Sequence, residues 1–201
     1  MHRKDSPSRR DIAELKGRLR ELSYLGAAIG VLNWDQEVNM PKRGADARAA
    51  SISLLSGFVH RKFLEIDADG LLSKLKVLLD KDRLDEKAAA VVRETGRSFA
   101  RARKFSEKFV TEMAELTAKS QSVWAEARAE NDFGKFAPSL ERIVEMKREE
   151  AKILGYEESP YDALLDEYEP RLTVKEVERI FADLKSFLIP LLARIRERTN
   201  I

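Results

Sequence analysis

Apolar residues recur at alternating three- and four-residue steps along nearly the whole chain. Ile12, Leu15, Leu19, Leu22, Gly26 and Ile29 begin the series, and that period marks one buried stripe on a long helix. Ser8 followed by Asp11 predicts a capping box at its start. Its end is predicted between residues 33 and 41, because Pro41 lacks an amide donor and disfavours helical geometry at Met40. A second helix is predicted over 45–63, with Ile52, Leu55, Phe58, Val59 and Phe63 on its apolar face. A short one follows over 70–79, then a polar turn at Asp80-Lys81-Asp82. Residues 85–104 repeat Ala88, Val91, Val92, Thr95, Phe99 and Ala102 at helical spacing.

Ser106 opens the next predicted helix, with Phe109, Met113, Leu116, Ser120, Val123 and Ala127 inward. A break is predicted at 132–134. Leu140, Ile143, Val144, Ala151 and Leu154 mark a further helix, closed by Gly155 as a left-handed cap. Ser159 caps a short helix, Pro160 takes its first turn and Asp162 completes an acidic box. Thr173 with Glu176 caps the last helix. Its predicted inward face is Val177, Ile180, Phe181, Leu184, Leu188, Leu191, Leu192 and Ile195, and Pro190 is expected to kink it. No strand alternation, βαβ unit or fixed-period repeat is found. The expectation is all-α: a bundle of long antiparallel amphipathic helices, one domain over 1–201 with a flexible arm over 1–10.

Composition adds to this picture. With 201 residues and 43% apolar content the chain can bury a real core. Charged residues reach 36%, but 37 basic groups nearly cancel 35 acidic ones. Such balance predicts solvated helix faces laced with ion pairs rather than a polyanion-binding surface. Arg93, Arg97 and Arg101 form one basic stripe, yet acids interleave and no helix-turn-helix or RNA-binding signature accompanies it, so a nucleic-acid partner is not expected. The absence of cysteine together with dense charge suits a thermophile and a reducing cytoplasm. No secretory leader is expected. The longest uncharged run, 22–34, falls short of the ~20 apolar residues that span a bilayer.

Candidate chemistry is limited by the ligand inventory. There are two histidines, His2 and His60, no cysteine, and no H-E-x-x-H. A catalytic zinc needs three protein ligands, often including two histidines one helical turn apart. His60, beside Phe58, Val59 and Phe63, reads as a packed histidine rather than a ligand.

Two stretches stand out. Residues 32–41 contain Trp34, Asp35, Gln36, Glu37, Met40 and Pro41, read as a turn between two long helices. Trp34 and Asp35 could line a cleft. In the plainer reading Trp34 plugs the helix junction and Asp35 or Asn39 caps the second helix. Residues 155–170 crowd carboxylates with Tyr156, Tyr161 and Tyr168. Paired carboxylates can exchange protons or hold a hard cation, but the calcium-loop pattern is absent. The plainer reading is a polar helix face between Pro160 and Pro170.

Together these stretches resemble the Taq-type thermostable zinc carboxypeptidases. The matching residues are Trp34-Asp35-Gln36-Glu37, Met40-Pro41, Gly44-Ala45 and Arg48-Ala49. They continue at Leu154-Gly155-Tyr156 and at Ser159-Pro160-Tyr161-Asp162-Ala163-Leu164-Leu165-Asp166-Glu167-Tyr168-Glu169-Pro170. The likeness runs from about residue 11 to 198. Arg171 stands where that family often has Gly, and Leu172 where it often has Met.

The resemblance implies a nearly all-helical, cytoplasmic, usually dimeric enzyme that removes C-terminal residues from peptides. In that family an H-E-x-x-H helix and a later glutamate hold zinc, and those elements lie further along. No catalytic or metal residue of the family maps onto this sequence. The expectation is therefore the amino-terminal lid or wall of a substrate groove, with no cofactor of its own. Zinc or cobalt belongs to a fuller relative. Its expected partners are a second copy, or a catalytic half that would bring peptide substrate. Such a part should expose an oversized apolar face. The alternative, a standalone helical interaction module, should not.

Overall fold

The structure is a computed structural model that describes residues 7–198. Every regular element among the described residues is helical. The chain forms two compact units, Met1–Val144 and Glu145–Ile201.

The first unit begins with α1 (Pro7–Val38). It starts one residue before Ser8, which therefore lies inside the helix rather than capping it, and Asp11 turns inward to pair with Lys74 Nζ at 2.6 Å. The expected arm over 1–10 lies partly outside the described residues, and from Pro7 onward the chain is helical. α2 (Ala45–Leu64) follows a 3₁₀ turn at Lys42–Gly44. A second such turn, Glu65–Asp67, leads to α3 (Leu71–Asp80), entered through Gly70 at φ +74°. α4 (Glu86–Ala102) is capped by Asp85 and α5 (Glu107–Ala129) by Ser106. Each cap accepts the third following amide, as the short polar side chains predict.

The main core gathers Ile12, Leu15 and Leu22 of α1 with Ile66, Leu72 and Leu75 near α3 and with Val92 of α4. A smaller cluster joins Ala49 and Ile52 of α2 to Ala118 of α5. α2 packs on α1, α4 and α5. Small residues let α2 and α5 approach closely: Ser53 Oγ donates to Thr111 O at 2.9 Å, and Gly57 faces the Thr111 methyl. Arg18 ties α1 to the turn before α3, donating to Ile66 O at 2.9 Å and to both carboxylate oxygens of Asp69.

Four predicted inward positions before the last helix face out. Gly26 is exposed. Phe58 is 40% exposed under the Arg61 guanidinium, 5.7 Å from its ring centre. Leu140 and Val144 of α6 (Phe133–Leu154) are also exposed. The break before α6 falls earlier than predicted: Asn131 takes φ +53°, and Gly134 lies inside the helix.

The second unit holds the end of α6, α7 (Pro160–Leu165) and α8 (Val174–Arg198). Gly155 closes α6 at φ +83°, and its amide bonds Ala151 O at 2.9 Å. Glu176 receives the Thr173 amide and hydroxyl at 3.1 and 3.0 Å, completing the predicted cap of α8. The side predicted inward on α8 is not covered. No residue of that helix is buried.

Candidate functional site

Residues 34–37 are not in a turn. Pro41 constrains only Met40, so α1 stays helical to Val38 and carries all four. The amides of Asn39 and Met40 both reach Asp35 O at 2.9 Å, closing the helix. Asp35 then does not cap α2, whose first turn begins at Gly44 without a side-chain cap. Its Oδ2 instead accepts Arg48 Nη2 at 2.5 Å. Arg48 Nη1 donates to Leu32 O at 2.5 Å, so one guanidinium grips α1 at two points from α2. Gln36 reaches the other way, with Nε2 donating to Ala118 O of α5 at 2.8 Å. Met40 packs over Gly44, where an added Cβ would come 3.2 Å from Met40 Cγ. Pro41 is extended and opens the 3₁₀ turn.

Asp35, Gln36 and Met40 thus lock α1, α2 and α5 together. Trp34 plugs nothing. It is 60% exposed, on the same side of α1 as the exposed Tyr24, Val31 and Val38.

In the second stretch Ser159 Oγ accepts Tyr161 N at 3.2 Å, and Asp162 Oδ2 accepts Ser159 N at 3.3 Å. Asp162 Oδ1 takes Val174 N at 2.7 Å, fastening α7 to the start of α8. Asp166 Oδ1 accepts Arg171 N at 3.0 Å. Arg171 adopts φ +70°, the left-handed region that suits glycine. The amide of Glu169 bonds Leu165 O, and Pro170 follows where the turn leaves the helix. Tyr161 and Tyr168 are 59% and 81% exposed. Asp162 and Asp166 are each occupied by backbone donors.

A groove of about 390 Å³ lies between α1, α2 and α5, walled by apolar side chains such as Leu22, Ile29 and Phe63, with Ser56 and His60 as its polar members. His60 is buried and its Nε2 contacts Phe105 O at 3.1 Å. A carbonyl only accepts, so that nitrogen carries the proton. On the basic stripe, Arg93 and Arg97 both lie beside Glu94, at 3.6 and 3.8 Å.

Among the described residues no group of three His, Asp or Glu side chains is placed to hold a metal ion. His2 lies outside them. The donor set does not fit a hydrolytic zinc. Sequence reasoning singled out Asp35 but gave Arg48 no role. Thirteen residues and a helix boundary separate the pair, and only the Arg48-Ala49 match hinted at it.

Residues 14–201 match the carboxypeptidase Taq (M32) metallopeptidase family. A thermostable carboxypeptidase 1 of Pyrococcus furiosus is 39% identical over 94% of this chain and 38% of its own length. Carboxypeptidase 1 of Bacillus subtilis is 33% identical over 90% of this chain and 36% of its own. A solved Pyrococcus furiosus carboxypeptidase structure superposes with a TM-score of 0.77 at 38% identity, covering 96% of this chain and 38% of that one. The chain thus spans little more than a third of the length of the relatives it matches, and corresponds to their amino-terminal portion. On the length of this match, with the all-helical fold beneath it, the chain belongs to the carboxypeptidase Taq (M32) metallopeptidase family.

Proposed function

We propose that this chain supplies the helical amino-terminal wall of a metallocarboxypeptidase that releases C-terminal residues from peptides. It has no hydrolytic activity by itself. The observation that carries this is the family match over 14–201 combined with a sequence that holds no H-E-x-x-H. The zinc or cobalt such chemistry uses is held by residues outside this sequence. Asp35, Arg48 and Gln36 set the packing of α1, α2 and α5 behind the wall. The exposed side of α1 with Trp34 belongs to the surface that the wall presents.

Thermostability and a cytoplasmic setting complete the proposal. They are supported by the name of the Pyrococcus furiosus relative, by the absence of cysteine, and by the lack of a membrane-crossing helix among the described residues. The standalone-module alternative required a helix set without an oversized apolar face, and α8 argues against it.

A chimaera tests the reading. This chain replaces the corresponding portion of the Bacillus subtilis relative, and release of the last residue from a blocked dipeptide is followed with zinc or cobalt. The chimaera is expected to turn over and to lose activity to a chelator, while the chain alone stays silent. Metal-dependent turnover by the chain alone, or a folded, metal-loaded chimaera without turnover, would refute it.

A further inference from the structure

The groove between α1, α2 and α5 has the size and lining of a small-molecule site. Its volume of about 390 Å³ lies within the ~300–1,000 Å³ range of such sites. All its lining residues belong to the first unit, and none of them is charged.

The walls shelter one another. Leu22 and His60 are buried, the other lining residues are half-buried, and none is exposed. A packing helix is about 10 Å across with its side chains. It rests on side chains that stand exposed until it arrives, and this groove offers none. The recess suits a slender occupant instead.

Two polar groups lie on the groove side of α2. Ser56 and His60 are one helical turn apart, a spacing that sets their Cβ atoms about 5–6 Å from each other. The His60 Nε2–H is committed to Phe105 O, which leaves Nδ1 an acceptor in the neutral ring. Among the described residues no group bonds Nδ1 or Ser56 Oγ, yet neither atom is sealed from solvent. His60 is only 8% exposed, so its uncovered edge is the one that lines the groove.

One ligand hydroxyl answers both groups. Its oxygen accepts from Ser56 Oγ while its own O–H donates to His60 Nδ1. A carboxylate has no proton to donate. It would set its charge against an acceptor nitrogen, in an apolar slot whose lining holds no cation.

We infer that this groove binds a neutral aliphatic alcohol of medium chain length. The hydroxyl sits between Ser56 and His60, and the chain lies along Leu22, Ile29 and Phe63. The inference does not depend on the carboxypeptidase reading, because every group it uses lies on α1, α2 or α5.

Octan-1-ol is the probe, titrated into the full chain by calorimetry and located by amide NMR shifts. It is expected to saturate a site whose shifts centre on Ser56, His60 and Val110, and to bind roughly tenfold or more tightly than octanoate. Ser56→Ala removes the donor without filling the groove. It should weaken octanol roughly 2- to 10-fold, the worth of one hydrogen bond, with unchanged helical circular dichroism. The chimaera with the Bacillus subtilis relative should bind octanol as tightly as the chain alone. Loss of binding there would mean that the rest of that relative fills the groove, and would overturn the inference. So would the absence of saturable binding, equal affinity for octanoate, an unweakened Ser56→Ala variant, or shifts confined to α8.

Discussion

Gly57 and Gly96 both sit inside helices, and they meet very different neighbours. A Cβ at Gly57 would come 2.6 Å from the Thr111 methyl. Thr111 is β-branched, and its hydroxyl is bonded to Lys108 O, so its side chain is not free to turn aside. Gly57→Ala should therefore destabilise by about 1–3 kcal/mol in urea unfolding. A Cβ at Gly96 would meet the Lys76 Cε at 2.5 Å, near the tip of a flexible chain that can swing into water. There the helix preference of alanine, up to about 1 kcal/mol, should leave Gly96→Ala neutral or stabilising. Equal effects would mean that α2 and α5 are not in the close contact described. Arg171 is the opposite case, a side chain where none is wanted. Its left-handed backbone costs about 1–2 kcal/mol, and glycine's extra unfolded-state freedom returns about 0.5–1 kcal/mol of that. Arg171→Gly should raise stability by up to about 1 kcal/mol, and Arg171→Val should lower it. A fall in melting temperature for the glycine variant would show that the Arg171 side chain matters more than its backbone.

Helix α1 is joined to the turn before α3 through a charge pair, Arg18 with Asp69, whose pH dependence has a definite sign. The hydrogen bond from Arg18 is the main reason the Asp69 carboxyl titrates at about 2 rather than at its ordinary 3.8. A carboxyl held low when folded stabilises the fold above its unfolded value. That contribution is lost as pH falls from about 4 toward 2, where the unfolded chain takes up the proton first. Denaturation midpoints of Asp69→Asn should fall less steeply than those of the parent between pH 4 and 2, and run parallel above pH 5. The effect is small because the pair is solvent-exposed. Parallel curves down to pH 2 would remove the tether. Much of the element order could be read from such local chemistry. Asp85, Ser106, Ser159 and Thr173 announce their helices because a cap acts within three residues of its own position. Signals of longer reach were misread. Pro41 restrains Met40 alone, so Trp34 to Glu37 stayed helical, and Gly134 did not break α6 because Asn131 had already made the turn. The Asp35–Arg48 lock could not be read at all, since its partners lie on different helices. Periodicity showed which side of α8 is apolar, but a pattern in one helix carries no information about what covers it.

Burial is unevenly spread over the molecule, and local stability should follow it. Leu15, Leu72, Leu75 and Val92 have no exposed surface, and all lie in the first unit. α2 is packed against three helices there, whereas the 25 residues of α8 include none that is buried. Helix length alone would predict the reverse, because longer helices are intrinsically the more stable and α2 has only 20 residues. Amide exchange separates the two causes, since protection follows the free energy of local opening. In this chain by itself, α8 amides should exchange faster than those of α2 by orders of magnitude, close to the behaviour of an isolated helix. The α2 amides should be the better protected, as that helix packs on three neighbours of the same chain. Slow exchange throughout α8 would mean that its stability is intrinsic and that packing is not what the helix lacks.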